Sequence, residues 1–391
     1  LHLPVRPSWG GMSLFGKEHH HFRNRVRHFV ETNLAPYAEA WERNASFPPS
    51  IFRDLGREGF LGITHDPKYG GQGLDFSYNV AFAEELPRSK MMGLTLSIVA
   101  QTNIFPPLLA TLGTEEQKQE FLVPAIRGEK IGCVASSEPA GGSDIVRAIH
   151  TTAVEDGDSW VITGEKKYIT NGPIADFVIA LVRTKPAFTT NSLSLVIVPT
   201  DVPGFRVKES LRKLGMHTSP TGWLVFDHCR VPKRLTLGKP HLGYYYVARN
   251  ILEERLIGGA SAVALAGYVL EETIRYLKQR IAFNQPLSQL QAIRHRIAEM
   301  AAEVEMAKRF VHSVCETYRD GTVEAKEICM IKFQVFEAVQ RVVERCLQLH
   351  GGYGFLEENW ITRVFRDARV LSVGGGPSEL MKDLVASYLR L

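Results

Sequence analysis

From Glu18 to about Arg127, apolar side chains recur at three- and four-residue intervals, as in Phe22, Val26, Phe29 and Val30 and again in Ile51, Leu55, Phe60 and Leu61. That spacing places them on one face of a helix. Breaks fall at Phe47-Pro48-Pro49 and Tyr69-Gly70-Gly71-Gln72-Gly73, where proline and glycine interrupt helices. Between about Ile131 and Leu237 the apolar runs shorten to strand length: Trp160-Val161-Ile162, 177–182, 194–198 and 223–226, separated by Asp156-Gly157, Asn171-Gly172 and Pro203-Gly204. This predicts antiparallel strands, with Asn171-Gly172 as a type I′ hairpin turn. Helical spacing returns after Leu242 over 245–280, 286–318, 323–349 and 377–389. The pattern predicts an α+β chain with a helical layer on each side of a β middle. Its parts are a tail or targeting remnant (1–17), an N-terminal α domain (18–128), a middle β domain (129–242) and a C-terminal α bundle (243–391).

Composition narrows the function. The chain has 391 residues, 45% hydrophobic and 23% charged, with a net charge of +4 that is not gathered into a basic block. Bulk disorder is excluded, and nucleic acid is not an expected partner. The apolar stretch 256–270 is closed by Arg255 and Glu271 and falls short of the ~20 residues that span a bilayer, so a soluble protein without an integral membrane segment is expected. The five cysteines, with no CxxC pair, fit a reducing compartment and suggest no metal site. His19, His20 and His21 are consecutive; neighbours on a helix point in different directions, so a solvated helix start is expected. Residues 1–17 hold no acid and only Arg6 and Lys17 as cations, which suits either a targeting remnant or a simple tail.

No GxGxxG, GxxxxGK[ST] or GxSxG pattern is present, so neither a Rossmann site, nor a P-loop, nor a hydrolase elbow is expected. Four clusters of small and hydroxyl residues remain: Ala135-Ser136-Ser137-Glu138-Pro139-Ala140-Gly141-Gly142-Ser143-Asp144, Tyr168-Ile169-Thr170-Asn171-Gly172, Gln348-Leu349-His350-Gly351-Gly352-Tyr353-Gly354, and Gly374-Gly375-Gly376-Pro377-Ser378-Glu379. Small residues let a flat ligand approach the backbone and hydroxyls supply donors. By itself the first cluster reads equally well as a structural turn or a ligand loop. The last is a helix start whose amides can meet an anion.

These clusters, in this order and with Arg280, Phe283, Gln291 and Arg366-Asp367-Ala368-Arg369, resemble the acyl-CoA dehydrogenases, FAD flavoenzymes, and most of all their long-chain members. The resemblance implies that Val134, Ala135, Ser137 and Gly142 on one loop, and Tyr168, Ile169 and Thr170 on another, flank the flavin ring. It implies that Arg280, Phe283, Gln291, Gln348, Gly351 and Gly352 hold the pyrophosphate and adenosine of FAD bound in a neighbouring subunit of a homotetramer, with Ser378 and Glu379 also at the cofactor. Ser143 and Tyr245 would touch the pantetheine arm of an acyl-CoA substrate. Electrons would pass to an electron-transferring flavoprotein.

Taking two hydrogens from an acyl thioester needs a base for the α proton and donors for the enolate-like oxygen. Many relatives carry the base as a Glu on the last loop, where this chain has Gly375. Long-chain and isovaleryl-type relatives carry it on the long helix before an Arg, and Leu252-Glu253-Glu254-Arg255-Leu256 has that form. The residues alone do not separate Glu253 from Glu254; the register of the relatives selects Glu254. Arg255 would serve through ion pairing or substrate contact, and the backbone of Gly375 and Gly376 would face the thioester. Leu96 and Ala100 would open the acyl pocket to long or methyl-branched chains. Carrier-protein-bound or short branched acyl groups, and a non-catalytic flavin-bound assembly factor, are the alternatives. Three departures, Pro377, Asn284 and the inverted Ala140-Gly141 order, bear on flavin affinity. The expected location is the mitochondrial matrix in a eukaryote and the cytoplasm otherwise.

Overall fold

The computed structural model describes residues 14–391; the first thirteen residues of the expected tail lie outside it. Helix α1 (Lys17–Asn33) begins within the remainder of that tail. It is followed by α2 (Ala38–Arg43), α3 (Ser50–Arg57), α4 (Phe76–Glu85), α5 (Met92–Val99), α6 (Pro106–Leu112), α7 (Glu115–Gln117) and α8 (Val123–Ile126). A π-helical turn, Ala100–Ile104, joins α5 to α6. The apolar face read from sequence is the buried one: Phe22, Val26, Ile51, Leu55 and Phe60 are all at most 6% exposed. The run Met92–Leu112 is apolar and long enough to cross a membrane, a longer candidate than 256–270, yet 83% of its apolar window is buried inside the fold.

His19 is not solvated as expected. Its Nδ1 accepts the Gly16 amide at 3.0 Å, Nε2 lies 2.6 Å from Ser77 Oγ, and the ring stacks on Tyr78. The histidine therefore caps α1 and ties it to α4.

Strands β1 (Gly132–Ala135), β2 (Thr152–Asp156), β3 (Ser159–Thr170), β4 (Phe177–Arg183), β5 (Leu193–Pro199), β6 (Phe205–Ser210), β7 (Thr221–Pro232) and β8 (Thr236–Leu237) form one sheet, with a short helix α9 (Ile145–Ala148) after β1. The sheet is mixed, which corrects the all-antiparallel expectation: β1 runs parallel to β4, and β2 meets β4 in parallel at Thr152 and Arg183. Buried on both faces, β4 reads as a continuous apolar run, the signature of a strand inside a sheet. Asn171-Gly172 is not a hairpin turn. Asn171 alone takes the left-handed conformation (φ 62°), Gly172 opens a 3-10 turn, and β3 and β4 are separated by β2.

The C-terminal part comprises α10 (Gly243–Gln279), α11 (Gln291–Arg319), α12 (Ala325–Met330), α13 (Phe336–Leu349), α14 (Trp360–Ala368) and α15 (Ser378–Tyr388). A further π turn, Ile331–Val335, joins α12 to α13. A two-stranded hairpin, β9 (Ile281–Ala282) with β10 (Gln285–Pro286), delays α11 by five residues relative to the expected start.

The helical parts do not sandwich the sheet. They share one core, in which Phe22, Phe60 and Phe82 join Leu256, Ile257, Val263 and Val339. A second core lies between the sheet and Phe105, Leu108 and Phe121 of the N-terminal helices. Each such side chain contributes roughly 1.5–3 kcal/mol when withdrawn from water. The long helix α10 packs on α4, α11 and α13 and meets the sheet at its first turn, where Gly243 lies against Ser194 and Leu181. Its Gly259 permits a close crossing, since a Cβ there would stand 2.6 Å from Ile331 Cγ2. The π turn is thereby drawn onto the helix that carries Glu254.

Candidate active site

The expected base and the glycine loop come together, although they are 121 positions apart in the chain. Glu254 lies near the start of α10 and Gly375 in the turn before α15. Glu254 Oε1 stands 3.9 Å from the point where a Cβ on Gly375 would sit. A carboxylate on α10 thus reaches the place a side chain at 375 would occupy. Gly375 and Gly376 have φ of 69° and 102°, values that glycine adopts at no steric cost. Arg255 Nε donates to the Gly375 carbonyl at 2.9 Å, so this arginine clamps the loop backbone. Among the described residues, the Gly375 and Gly376 amides donate to no protein acceptor.

Burial raises both adjacent glutamates, and their hydrogen bonding separates them. Burial pushes the Glu254 carboxyl above its usual range, against the pull of Arg255 and Lys332. A raised carboxylate is better matched to proton abstraction near neutral pH. Burial also raises Glu253, but Tyr318 Oη donates to its Oε2 at 2.9 Å. Glu253 is therefore held toward α11.

Lys332 escaped the reading of the sequence. It sits on the π turn Ile331–Val335, 1% exposed. Its Nζ donates to the Leu371 carbonyl at 2.6 Å and lies 4.5 Å from the centre of the Phe336 ring. Burial, with Arg255 adding to it, pulls the ammonium down to about 8. The available signal was a single lysine inside the apolar run Ile331-Lys332-Phe333.

The first small-residue cluster is a locked loop. Glu138 Oε2 accepts the His150 amide at 2.8 Å, and Oε1 accepts the Thr151 amide at 3.0 Å and Lys166 Nζ at 2.8 Å. Lys166 Nζ also donates to the carbonyls of Ser136 (3.2 Å) and Leu181 (2.6 Å). Three acceptors meet the three donors of an ammonium. Burial raises Glu138, but the attraction of Lys166 and these donors outweigh it, and the net shift is down. Lys166 was also overlooked, although the alternation Trp160, Ile162, Gly164, Lys166 puts it on the inward face of β3.

Tyr168, at a break in the β3–β7 register with φ 66°, is turned outward and 62% exposed. A bulge re-aims a side chain in this way. Thr170 and Val134 are half-buried, whereas the side chains of Ile169 and Ala135 point into the sheet core. Those two can meet a ligand only through the backbone. Ser143 and Tyr245 are exposed, and Tyr245 Oη lies 3.0 Å from Thr190 Oγ1. Leu96 is half-buried on α5, and Ala100 is buried at the first π turn.

The remaining cofactor candidates gather at the other end of α10. Arg280, Gly351 and Gly352 line a cleft of about 620 Å³ together with Tyr276 and His350. Phe283 and Gln348 are exposed close by in sequence, and Gln291 opens α11. A Cβ on Gly351 or Gly352 would meet nothing within 4 Å. Phe283 and Asn284, both with positive φ, are the turn residues between β9 and β10, a type I′ geometry that asparagine tolerates. Asn284 therefore keeps the turn that a glycine would make. Ser378 is buried in the first turn of α15, and Glu379 is exposed beside it. At both ends of α10, open small-residue backbone beside hydroxyl or cationic donors fits a flat, phosphate-bearing cofactor.

The chain matches the acyl-CoA dehydrogenase N-terminal domain over residues 16–129, the middle domain over 133–229 and the C-terminal domain over 241–389. It is 32% identical to the mitochondrial long-chain specific acyl-CoA dehydrogenase of Rattus norvegicus over 96% of this chain and 87% of that protein. An acyl-CoA dehydrogenase from Geobacillus kaustophilus is similar in structure, with TM-score 0.92, 38% identity and coverage of 96% of this chain and 99% of that one. A glutaryl-CoA dehydrogenase from Mycobacterium smegmatis, solved in complex with FADH2, has TM-score 0.90 and 28% identity, covering 96% of this chain and 95% of that one.

Proposed function

The chain belongs to the acyl-CoA dehydrogenase family of FAD-dependent enzymes, and from that premise we propose that it oxidises long straight-chain or methyl-branched acyl-CoA thioesters to trans-2-enoyl-CoA, with Glu254 as the base. The observation that carries the assignment is the 3.9 Å between Glu254 Oε1 and the side-chain direction of Gly375, set against the bond that ties Glu253 to Tyr318.

FAD, when bound, supplies the acceptor for the hydride from the β carbon. The chain does the rest. Glu254 takes the α proton. The unpartnered Gly375 amide is offered to the thioester oxygen as charge builds there, while Arg255 holds the peptide that carries it. The locked loop 134–142 and the outward Tyr168 flank the ring and exclude water. Ser143 and Tyr245 border the path of the pantetheine arm, and Leu96 and Ala100 line the acyl tail.

One cofactor does not reach both groups of candidates within one chain. From Glu254 to the end of α10 at Gln279 is about 37 Å at roughly 1.5 Å per residue, further than an extended dinucleotide spans. Arg280, Gln291, Gln348, Gly351 and Gly352 therefore serve the FAD of a neighbouring subunit in a homotetramer, and the exposed Ile281, Phe283 and Phe355 supply apolar surface for that contact. Electrons leave to an electron-transferring flavoprotein, in the mitochondrial matrix if the source is eukaryotic and in the cytoplasm otherwise.

The test is anaerobic mixing of the flavoprotein with acyl-CoAs of graded length, following oxidised-flavin absorbance. Reduction rises with chain length until the tail channel is filled, at about 0.8 kcal/mol per buried methylene. Glu254→Gln binds the same thioesters but is reduced at least roughly 10²–10⁴-fold more slowly, while Glu253→Gln is reduced at an ordinary rate. Normal reduction of Glu254→Gln sinks the assignment.

A further inference from the structure

We infer that Lys332 is a positioning residue for proton abstraction: it pins the chain leading into the glycine loop and holds Glu254 as a carboxylate directed at that loop. The inference rests on the reading of Glu254 as the base.

The geometry comes first. An ammonium buried to 1% exposure is costly unless opposite charge offsets it. Among the described residues, no carboxylate lies within ion-pair distance of Lys332; its hydrogen bond goes to the Leu371 carbonyl at 2.6 Å. Its Cε stands 3.6 Å from the point where a Gly375 side chain would begin, and Glu254 Oε1 stands 3.9 Å from the same point. The lysine stem and the carboxylate therefore flank one spot on the loop. Leu371 lies in a 3-10 turn, Arg369–Ser372, that feeds the loop, and Arg255 holds Gly375 beyond it. Two cations thus grip the segment at either end.

The charged groups around Lys332 leave Glu254 as its counterion. From α13, Glu337 faces it but is already paired with Lys382 of α15 at 3.2 Å. From α10 come Glu254 itself and Arg255, which opposes the lysine; Arg255 in turn has Cys329 of α12 and Tyr388 of α15 among its neighbours. Lys332 and Arg255 are the two cations that pull on Glu254 against its burial. Removing one of them moves the carboxylate further up, because a nearby opposite charge favours the ionised form.

The experiment uses FAD-loaded wild type, Lys332→Met, Lys332→Arg and Glu254→Gln. Each is reduced anaerobically by palmitoyl-CoA across the pH range, with octanoyl-CoA run alongside. Lys332→Met is expected to retain FAD while the acid limb of its reduction rate moves up by about one pH unit. Lys332→Arg restores the limb to its wild-type position, at a lower maximal rate. If Lys332→Met does not fold, Lys332→Gln, which keeps a donor for Leu371 without the charge, is read in its place. A limb that overlays wild type in the uncharged variant overturns the inference, even with a fall in rate, since a purely mechanical strut would slow the reaction without moving the limb. Normal reduction of Glu254→Gln is a separate outcome and removes the premise instead.

Discussion

Two buried lysines hold the two loops proposed above to border the flavin and the base, the flavin-side and base-side loops, and they do so under different electrostatic terms. Lys166, under the flavin-side loop, is wholly buried with a carboxylate at 2.8 Å and two carbonyls completing its donors. Lys332, under the base-side loop, has one carbonyl and an aromatic face, and shares its charge through space with Glu254. A saturated pair fixes a loop and has little left to influence. An unsaturated cation keeps part of its field available to a neighbouring titratable group, which suits a site where a carboxyl must be ionised in an apolar setting.

The largest effect that would test this contrast is on stability. Lys166→Met strands a buried Glu138 carboxylate and two carbonyls, and should cost about 3–5 kcal/mol, with FAD released during purification. Lys332→Met leaves a carbonyl unpaired and takes away one of the two cations that act on Glu254, and should cost about 1–3 kcal/mol. Denaturant unfolding of the two holoproteins, with flavin absorbance followed in parallel, compares them. Equal losses would erase the distinction.

A smaller effect isolates the base-side loop. Gly259→Val places a side chain where Ile331 now stands and pushes the π turn carrying Lys332 away from α10. About 1–3 kcal/mol of destabilisation is expected from such overpacking. Flavin content should be unchanged and reduction by acyl-CoA slower. Loss of flavin with unaltered reduction of the remaining holoenzyme would show that the π turn serves the other loop.

The smallest effect is acid sensitivity of the flavin-side loop. Glu138 is lower in the folded protein than its ordinary 4.5, so its stabilisation is complete above that value and is lost as the pH falls through the lower, folded one. FAD retention measured by fluorescence should hold at mildly acidic pH and decline only below about 4.5. In Glu138→Gln the decline tied to this carboxyl disappears. A wild-type decline beginning near neutrality would place the sensitive group elsewhere.

Much of the architecture was legible because local rules governed it. Three- and four-residue spacing marked α1 and α10, and short apolar runs marked β4 and β5. The mixed sheet was hidden, because a parallel partner such as β1 leaves no local sign of its direction. His19 was misjudged as solvated because its partners, Ser77 and Tyr78, lie on another helix. In the site, the glycine, serine and Glu-Arg motifs were visible as strings. The lysines beneath them were not, since a lone lysine in a sequence carries no mark of what it faces.

What the sequence determined by itself was periodicity, the family motifs and the pair of glutamates that includes the base candidate, each a matter of residues close together in the chain. Tertiary structure decided which glutamate turns toward Gly375, that both helical parts share one core, and that Lys166 and Lys332 sit under the loops. These depend on contacts between distant segments: Glu253 is drawn to Tyr318 on α11, and Gly259 lets the π turn approach α10 closely enough to bring Lys332 beside Glu254. Burial changes the charge state a carboxyl or an ammonium prefers, and burial exists only once those segments have packed.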